Sequence, residues 1–200
     1  MILTALLFLA IGYLLGAIPS GYLAGRWLKG IDLRDCGSGS TGATNVLRNV
    51  GKGPALVVFL IDVGKGALAV LLARSFGLND WLQVLAGLAA LAGHIWPVWL
   101  GWKGGKAVAT GLGMFLGLAW PVGLASFGLF MATISLSRIV SLASVVAAIG
   151  LPVLMLLAGN SSAYVVVSLV ASSMVIWRHR SNIKRLMAGT EPRIGQKQQA

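Results

Sequence analysis

The sequence predicts an all-α, polytopic integral membrane protein with seven transmembrane helices, the amino terminus outside and the carboxyl terminus cytoplasmic. Three observations predict it. Of 200 residues, 57% are hydrophobic and only 10% charged, a balance foreign to soluble globular domains. The apolar residues come in runs long enough to cross a hydrocarbon core, which takes about 20 helical residues. The basic residues gather in alternate connections, as the positive-inside rule asks of a multispanning chain. No internal repeat or soluble segment interrupts the pattern, so residues 1–200 read as one transmembrane domain.

The first span runs from Met1 to about Leu23, with Gly12, Gly16 and Gly21 at close-packing positions and Pro19-Ser20 near its end. No basic stretch precedes it and it is long for a secretory h-region, which argues against a cleaved leader. The second covers about Pro54 to Ala73, with proline in the first turn, where its missing donor costs least. The third covers about Trp81 to Val98, and Trp96, Trp99 and Trp102 beside it mark a membrane–water interface. From Ala107 to Ser137 the apolar run is too long for one crossing. Trp120-Pro121 divides it into helices at about 107–119 and 121–137. The remaining spans are about Ile139–Ala158 and Ala163–Trp177, joined by Gly159-Asn160-Ser161-Ser162.

The count of seven rests on parity. Loops 26–52, 103–106, 138 and 178–197 hold nearly all the Lys and Arg, whereas turns near 75–80, 120 and 159–162 hold almost none apart from flanking Arg74. Basic loops stay in the cytoplasm, so 107–137 must cross twice.

Sixteen Lys and Arg against five Asp and Glu give a net charge of +11. In a soluble chain that excess would suggest nucleic acid. Here it sits between apolar spans, where topology and anionic substrates explain it, and no nucleic-acid partner is expected. One Cys and two His support neither a disulfide nor a metal cluster. No metal or cofactor is expected.

Three polar segments carry the chemistry. Residues 37–48 form the longest polar run, Gly37-Ser38-Gly39-Ser40-Thr41-Gly42-Ala43-Thr44-Asn45-Val46-Leu47-Arg48. Its glycines allow tight backbone turns close to a ligand, its hydroxyls and amide can bond phosphate oxygens, and Arg48 offers a bidentate fork. No Gly-Lys-Ser/Thr closes the run, which excludes a Walker A loop. Residues 93–110 contain His94 and the double glycine Gly104-Gly105 flanked by Lys103 and Lys106, a pattern suited to clamping a phosphate. His94 reads as a packed structural residue. Residues 178–191 hold Arg178, His179, Asn182 and Glu191; in a helix, His179, Asn182 and Leu186 share a face. Asp62 and Lys65, three apart inside the second span, read as an ion pair supporting the glycine-rich loop.

These segments, in this order and spacing, resemble the bacterial acyl-phosphate:glycerol-3-phosphate acyltransferase family (PlsY). That family carries G-S-G-N-x-G-A-T-N-x-x-R, G-H-x-x-P…K-G-G-K-G-V-A-T and R-H-x-x-N-I-x-R-L-x-x-G-x-E. Here they stand as Gly37–Arg48, Gly93–Thr110 and Arg178–Glu191, spanning nearly the whole chain. Ser40-Thr41 replaces the common Asn-Pro, Ala107 replaces a glycine, and tryptophans fill aromatic positions of the second run.

The resemblance implies a multi-pass enzyme of the bacterial inner membrane, its active site at the cytoplasmic face. It would move a fatty acyl group from acyl phosphate to the 1-hydroxyl of glycerol 3-phosphate. The products would be lysophosphatidic acid and phosphate, at the first step of phospholipid synthesis. Membrane lipids, and the enzyme that makes acyl phosphate, are the implied partners. Neither His94 nor His179 is followed by Asp at the fifth position, so the His-x-x-x-x-Asp motif of thioester-dependent acyltransferases is absent.

Ser38, Thr44, Asn45, Arg48 and Lys106, with Gly37, Gly39, Gly104 and Gly105 shaping the backbone, are assigned to the phosphates and the reacting carbonyl. His179 and Asn182 are assigned to glycerol 3-phosphate, supported by Arg178, Lys103 and Glu191. Ser38, Arg48, Lys106 and His179 form the catalytic set. The acceptor's proton passes either to His179 or to a substrate phosphate oxygen. The competing reading is a transporter of a small organic-phosphate anion, which would place polar groups near mid-membrane.

Overall fold

In a bilayer a backbone satisfies its N–H and C=O groups only within helices or a closed barrel. This chain takes the first route. The computed structural model describes residues 2–196, and no strand occurs among them. Met1, where the first predicted span begins, and Lys197, in the predicted basic tail, lie outside the described residues.

The helices are α1 (Ile2–Gly16), α2 (Ser20–Lys29), α3 (Ala43–Asn49), α4 (Lys52–Ser75), α5 (Asp80–Ile95), α6 (Val108–Leu118), α7 (Trp120–Ser137), α8 (Val140–Leu157), α9 (Ser162–Arg178) and α10 (Arg180–Met187), with a 3-10 turn at Val98–Leu100. By length and composition, five helical stretches are fit to cross a membrane: Ile2–Lys29, Lys52–Ser75, Asp80–Leu100, Trp120–Ser137 and Val140–Leu157. The bent pair Ser162–Arg178 and Arg180–Met187 raises the number to six. The predicted helix at 107–119 exists as α6, but its 11 residues fall short of a full crossing. Seven helical segments therefore lie where seven spans were expected, and five or six meet the length of a span.

The expected first span breaks at Ala17–Pro19. Proline lacks an N–H, clashes with the preceding turn and biases the residue before it toward extended backbone. The second piece, α2, presents Arg26 and Lys29 in its last turn and ends on Gly30 at φ 67°. Farther along, Asn79 caps α5 by accepting from Leu82 N at 3.1 Å.

The chain divides into two units, one up to Leu118 and one from Ala119, and each is described by itself. In the first, small residues let backbones touch, the packing logic of helices in lipid. A Cβ at Gly12 would meet Ala86, one at Gly16 would meet Ala90, and one at Gly93 would strike Tyr13 and Ala17. The paired numbers rise together, so α1 and α5 run parallel. The same holds for α4 and α6, where Gly113 faces Val63 and Gly117 faces Val70. In the second unit, α8 packs on α7 and α9. Ser172 Oγ donates to Ala148 O at 2.6 Å and binds α9 to α8.

Candidate active site

The glycine-rich run folds into a loop followed by α3, which begins at Ala43. Gly37 and Gly39 take φ of 56° and 65°, a region that favours glycine. Asn45 organises this loop from within. It is 1% exposed, and its Nδ2 lies 2.9–3.0 Å from the carbonyls of Leu33, Cys36 and Ser40. Its Oδ1 accepts from Ser38 N at 3.2 Å and from Asn49 Nδ2 at 3.0 Å. Assigned from sequence to the substrate, Asn45 is engaged in holding the loop's shape. Asn49, one turn on, is the partner the sequence reading missed; the i, i+4 pair of asparagines was its signal. Ser38 is exposed, while Thr44 and Arg48 are half-buried and stand four apart on α3. All three side chains are without a hydrogen bond among the described residues, which leaves them available to a ligand.

The second segment is moulded against the first. Asp32 and Arg34 form a bidentate pair, closest at 2.6 Å from Nη2 to Oδ2. Arg34 Nη1 donates to Leu100 O at 3.0 Å, and the guanidinium lies 5.1 Å from the Tyr22 ring centroid. Side-chain hydrogen bonds from Arg34 hold the Asp32 carboxyl down at about 2, against a smaller upward push from burial. The same bonds push Arg34 upward. Arg34 falls in the basic loop 26–52, and the Asp32-x-Arg34 spacing is the sequence signal of this pair.

The lysine loop turns on backbone bonds, Gly104 N to Ile95 O at 3.1 Å and Gly105 N to His94 O at 3.0 Å. Both glycines are buried, Lys106 is half-buried and Lys103 is exposed. A side chain at Gly105 would overlap the His94 ring at Nε2, and one at Gly104 would strike Pro97 and the His94 carbonyl. Ala107, which stands where the family has glycine, sits at φ 59°.

Beneath this loop lies a buried cluster. Asp62 Oδ1 is 2.7 Å from Lys65 Nζ, accepts from Ser20 Oγ at 2.8 Å and lies 3.6 Å from His94 Nδ1. Lys65 Nζ also donates to Ile18 O at 3.2 Å, a carbonyl at the Pro19 break that also accepts from Ser20 N at 3.0 Å. The ion pair foreseen in the sequence forms. It braces the α1–α2 break and His94 rather than the glycine-rich loop directly. Tyr13 Oη donates to Trp96 O at 2.8 Å and fixes the next stretch.

In the second unit the chain bends by 61° between α9 and α10, with His179 at the corner. His179 is buried, and its Nδ1 is 2.8 Å from Val175 O. A carbonyl only accepts, so Nδ1 is the donor of this bond and the ring is pinned to the α9 backbone. Asn182 Nδ2 donates to Glu191 Oε1 at 2.6 Å. Ser141 Oγ donates to the same oxygen at 2.8 Å, and Arg185 Nε to Oε2 at 2.7 Å. Burial pushes the Glu191 carboxyl up, but these three donors outweigh it and hold the group below the ordinary carboxylate range. Arg178 is half-buried beside the Trp177 ring, 5.8 Å from its centroid. Ser141 was not foreseen from the sequence, since nothing local marks it among the other serines of the helices.

The structure thus joins residues 37–48 and 93–110 within one unit, and assembles His179, Asn182 and Glu191 within the other. No group of three or more His, Cys, Asp or Glu residues able to hold a metal occurs among the described residues.

A family model described as glycerol-3-phosphate acyltransferase matches residues 6–189. A glycerol-3-phosphate acyltransferase of Parasynechococcus marenigrum (strain WH8102) is 89% identical, over 98% of this chain and 92% of its own. One from Synechococcus sp. (strain CC9605) is 90% identical over 97% and 96%. The crystal structure of PlsY (YgiH), an integral membrane glycerol 3-phosphate acyltransferase, in its glycerol 3-phosphate form superposes with a TM-score of 0.92 at 41% identity, covering 96% of both chains. Its lysophosphatidic acid form gives 0.88 at 40% identity over the same share.

Proposed function

Since the chain belongs to the glycerol-3-phosphate acyltransferase family, a transferase of membrane lipid synthesis, we propose that its acyl donor is an acyl phosphate. The 1-hydroxyl oxygen of glycerol 3-phosphate attacks the acyl carbonyl carbon. The bond from that carbon to the phosphate oxygen breaks, and phosphate leaves with the electron pair. The hydroxyl proton passes to a substrate phosphate oxygen. Lysophosphatidic acid and inorganic phosphate result. An acyl phosphate is already activated, so the protein's task is to hold two anions together and neutralise them.

The observation that carries this reading is the joining of the glycine-rich loop to the lysine loop through Arg34 and the Leu100 carbonyl. It sets Ser38, Thr44 and Arg48 in the same unit as Lys103 and Lys106, a cationic and hydroxyl-rich surface matched to phosphate and a developing oxyanion. Gly37, Gly39, Asn45, Gly104 and Gly105 shape the backbone around it. His179 and Asn182, with Arg178 and Glu191 in support, take glycerol 3-phosphate. His179, its ring pinned through Nδ1 to the Val175 carbonyl, orients the acceptor hydroxyl.

The membrane arrangement follows the parity argument: seven crossings, amino terminus outside, carboxyl terminus and active site at the cytoplasmic face of the bacterial inner membrane. The parallel pairs α1–α5 and α4–α6 support it, because each pair must then cross in one direction. The transporter alternative gives way to the family assignment. Donor comparison tests the proposal. Purified protein with glycerol 3-phosphate should turn over palmitoyl phosphate and leave palmitoyl-CoA and palmitoyl carrier protein untouched. Turnover of either thioester in place of the acyl phosphate would overturn it.

A further inference from the structure

A charged group inside a membrane span is expensive, and a role confined to packing is served more cheaply by apolar side chains. The Asp62 carboxylate is 1% exposed in the middle of α4, and it gathers Lys65, Ser20 and His94 around one oxygen. Three elements are keyed to it: the α2 start, α4 itself and the end of α5. The fourth party is reached through His94. One edge of its ring faces Asp62 through Nδ1, and the opposite edge abuts Gly105, where even a methyl group would collide with Nε2. The backbone of the same histidine accepts from Gly105 N, and Ile95 O accepts from Gly104 N. The double glycine therefore lies directly on the histidine, and Lys106 follows it.

We propose that His94, held in its orientation by Asp62, is a positioning residue for acyl transfer: its ring is the surface against which Gly104-Gly105 sets the height and direction of Lys106. This rests on Lys106 binding a phosphate or the reacting carbonyl, as proposed above. In this arrangement Asp62 touches no substrate. It fixes His94, His94 fixes the turn, and the turn delivers the cation. Displacement of a positioned group by about 1 Å costs on the order of 100-fold in rate, so a small tilt of the ring is enough to be read in turnover.

The test uses the full chain in detergent. His94→Asn keeps a donor where Nδ1 meets Asp62 and removes the edge facing Gly105. It should keep its thermal midpoint within a few degrees and lose about 10- to 100-fold in kcat. His94→Gln, which restores a polar group toward Gly105, should recover part of that loss. Gln83→Leu, on the same helix and buried with its amide on Leu78 O at 2.6 Å, is the control that lowers the midpoint without lowering kcat. Lys106→Arg supplies the coupling measurement: His94→Asn should cost little further rate in that background, because the cation it served is already misplaced. Multiplicative losses in the double variant, or a His94→Asn chain with kcat intact, would overturn the proposal. A Lys106→Ala chain with full turnover would instead strike the reading of Lys106. In Asp62→Asn/Lys65→Met, stability should return while kcat stays low; recovery of both would mean that the cluster only packs.

Discussion

The amide of Asn182 donates to the Glu191 carboxylate across 2.6 Å, and both groups are buried. Glu191 spends its other acceptor positions on Ser141 and Arg185. With Asn182 assigned to glycerol 3-phosphate as proposed, Glu191 acts through Asn182, whose orientation it fixes. Glu191→Gln removes the charge that three donors converge on and leaves Arg185 unpaired. It should cost about 1–3 kcal/mol of stability and lower kcat/KM for glycerol 3-phosphate at least about tenfold, seen by thermal melting and initial rates. Because the folded carboxyl titrates below its ordinary range, this contribution is present at neutral pH and fades only as the pH falls beneath the usual carboxylate value.

Asp62 and Lys65 neutralise one another at 2.7 Å inside α4. Asp62→Asn or Lys65→Met alone strands a charge in the membrane interior and should cost about 3–5 kcal/mol. The double variant should be closer to wild type than either single one. Thermal midpoints of the four chains in one detergent check this, and additive losses would contradict it.

Ala107 occupies φ 59° immediately after Lys106. The left-handed region costs a non-glycine residue about 1–2 kcal/mol, partly offset by the greater unfolded-state freedom of glycine. Ala107→Gly should therefore raise stability by up to about 1 kcal/mol with turnover retained. Ala107→Val, branched at Cβ, should lower both stability and turnover.

The Asp32–Arg34 pair sets a pH window. The folded Asp32 carboxyl titrates at about 2 against an ordinary 3.8, so its stabilisation is complete above 3.8 and disappears as the pH drops through about 2. The gap in thermal midpoint between wild type and Asp32→Asn should hold steady from pH 7 to about 4.5 and narrow below that. Asp32→Asn should also reduce turnover at neutral pH, since it frees the guanidinium that ties one loop to the other through Leu100.

Much of this was legible in the chain because the bilayer imposes a simple rule. Apolar runs must be helices, and every predicted span has a helix at its place. What escaped was tertiary. A polar residue in a glycine-rich run looks the same whether it faces a ligand or the loop's own carbonyls, which is why Asn45 was read outward while its amide points inward. Asp62, His94 and Ser20 lie on three separate elements, and only folding shows that they share one oxygen. The Pro19 break was visible as a residue pair, but not as the place where the Ile18 carbonyl takes a second donor from Lys65. Ala107 stood out as a departure from the family glycine, and its positive φ gives that departure a physical meaning. The shortness of α6 was legible, because Trp120-Pro121 closes the helix that begins near Ala107.

In this enzyme, acyl transfer and phosphate release should be one event. Radiolabelled glycerol 3-phosphate and palmitoyl phosphate, given to the purified chain in lipid vesicles, allow organic-phase label and free phosphate to be counted together. One phosphate should appear for each labelled lipid formed, with neither produced when either substrate is left out. Label trapped unchanged inside the vesicles, or phosphate released without labelled lipid, would contradict it.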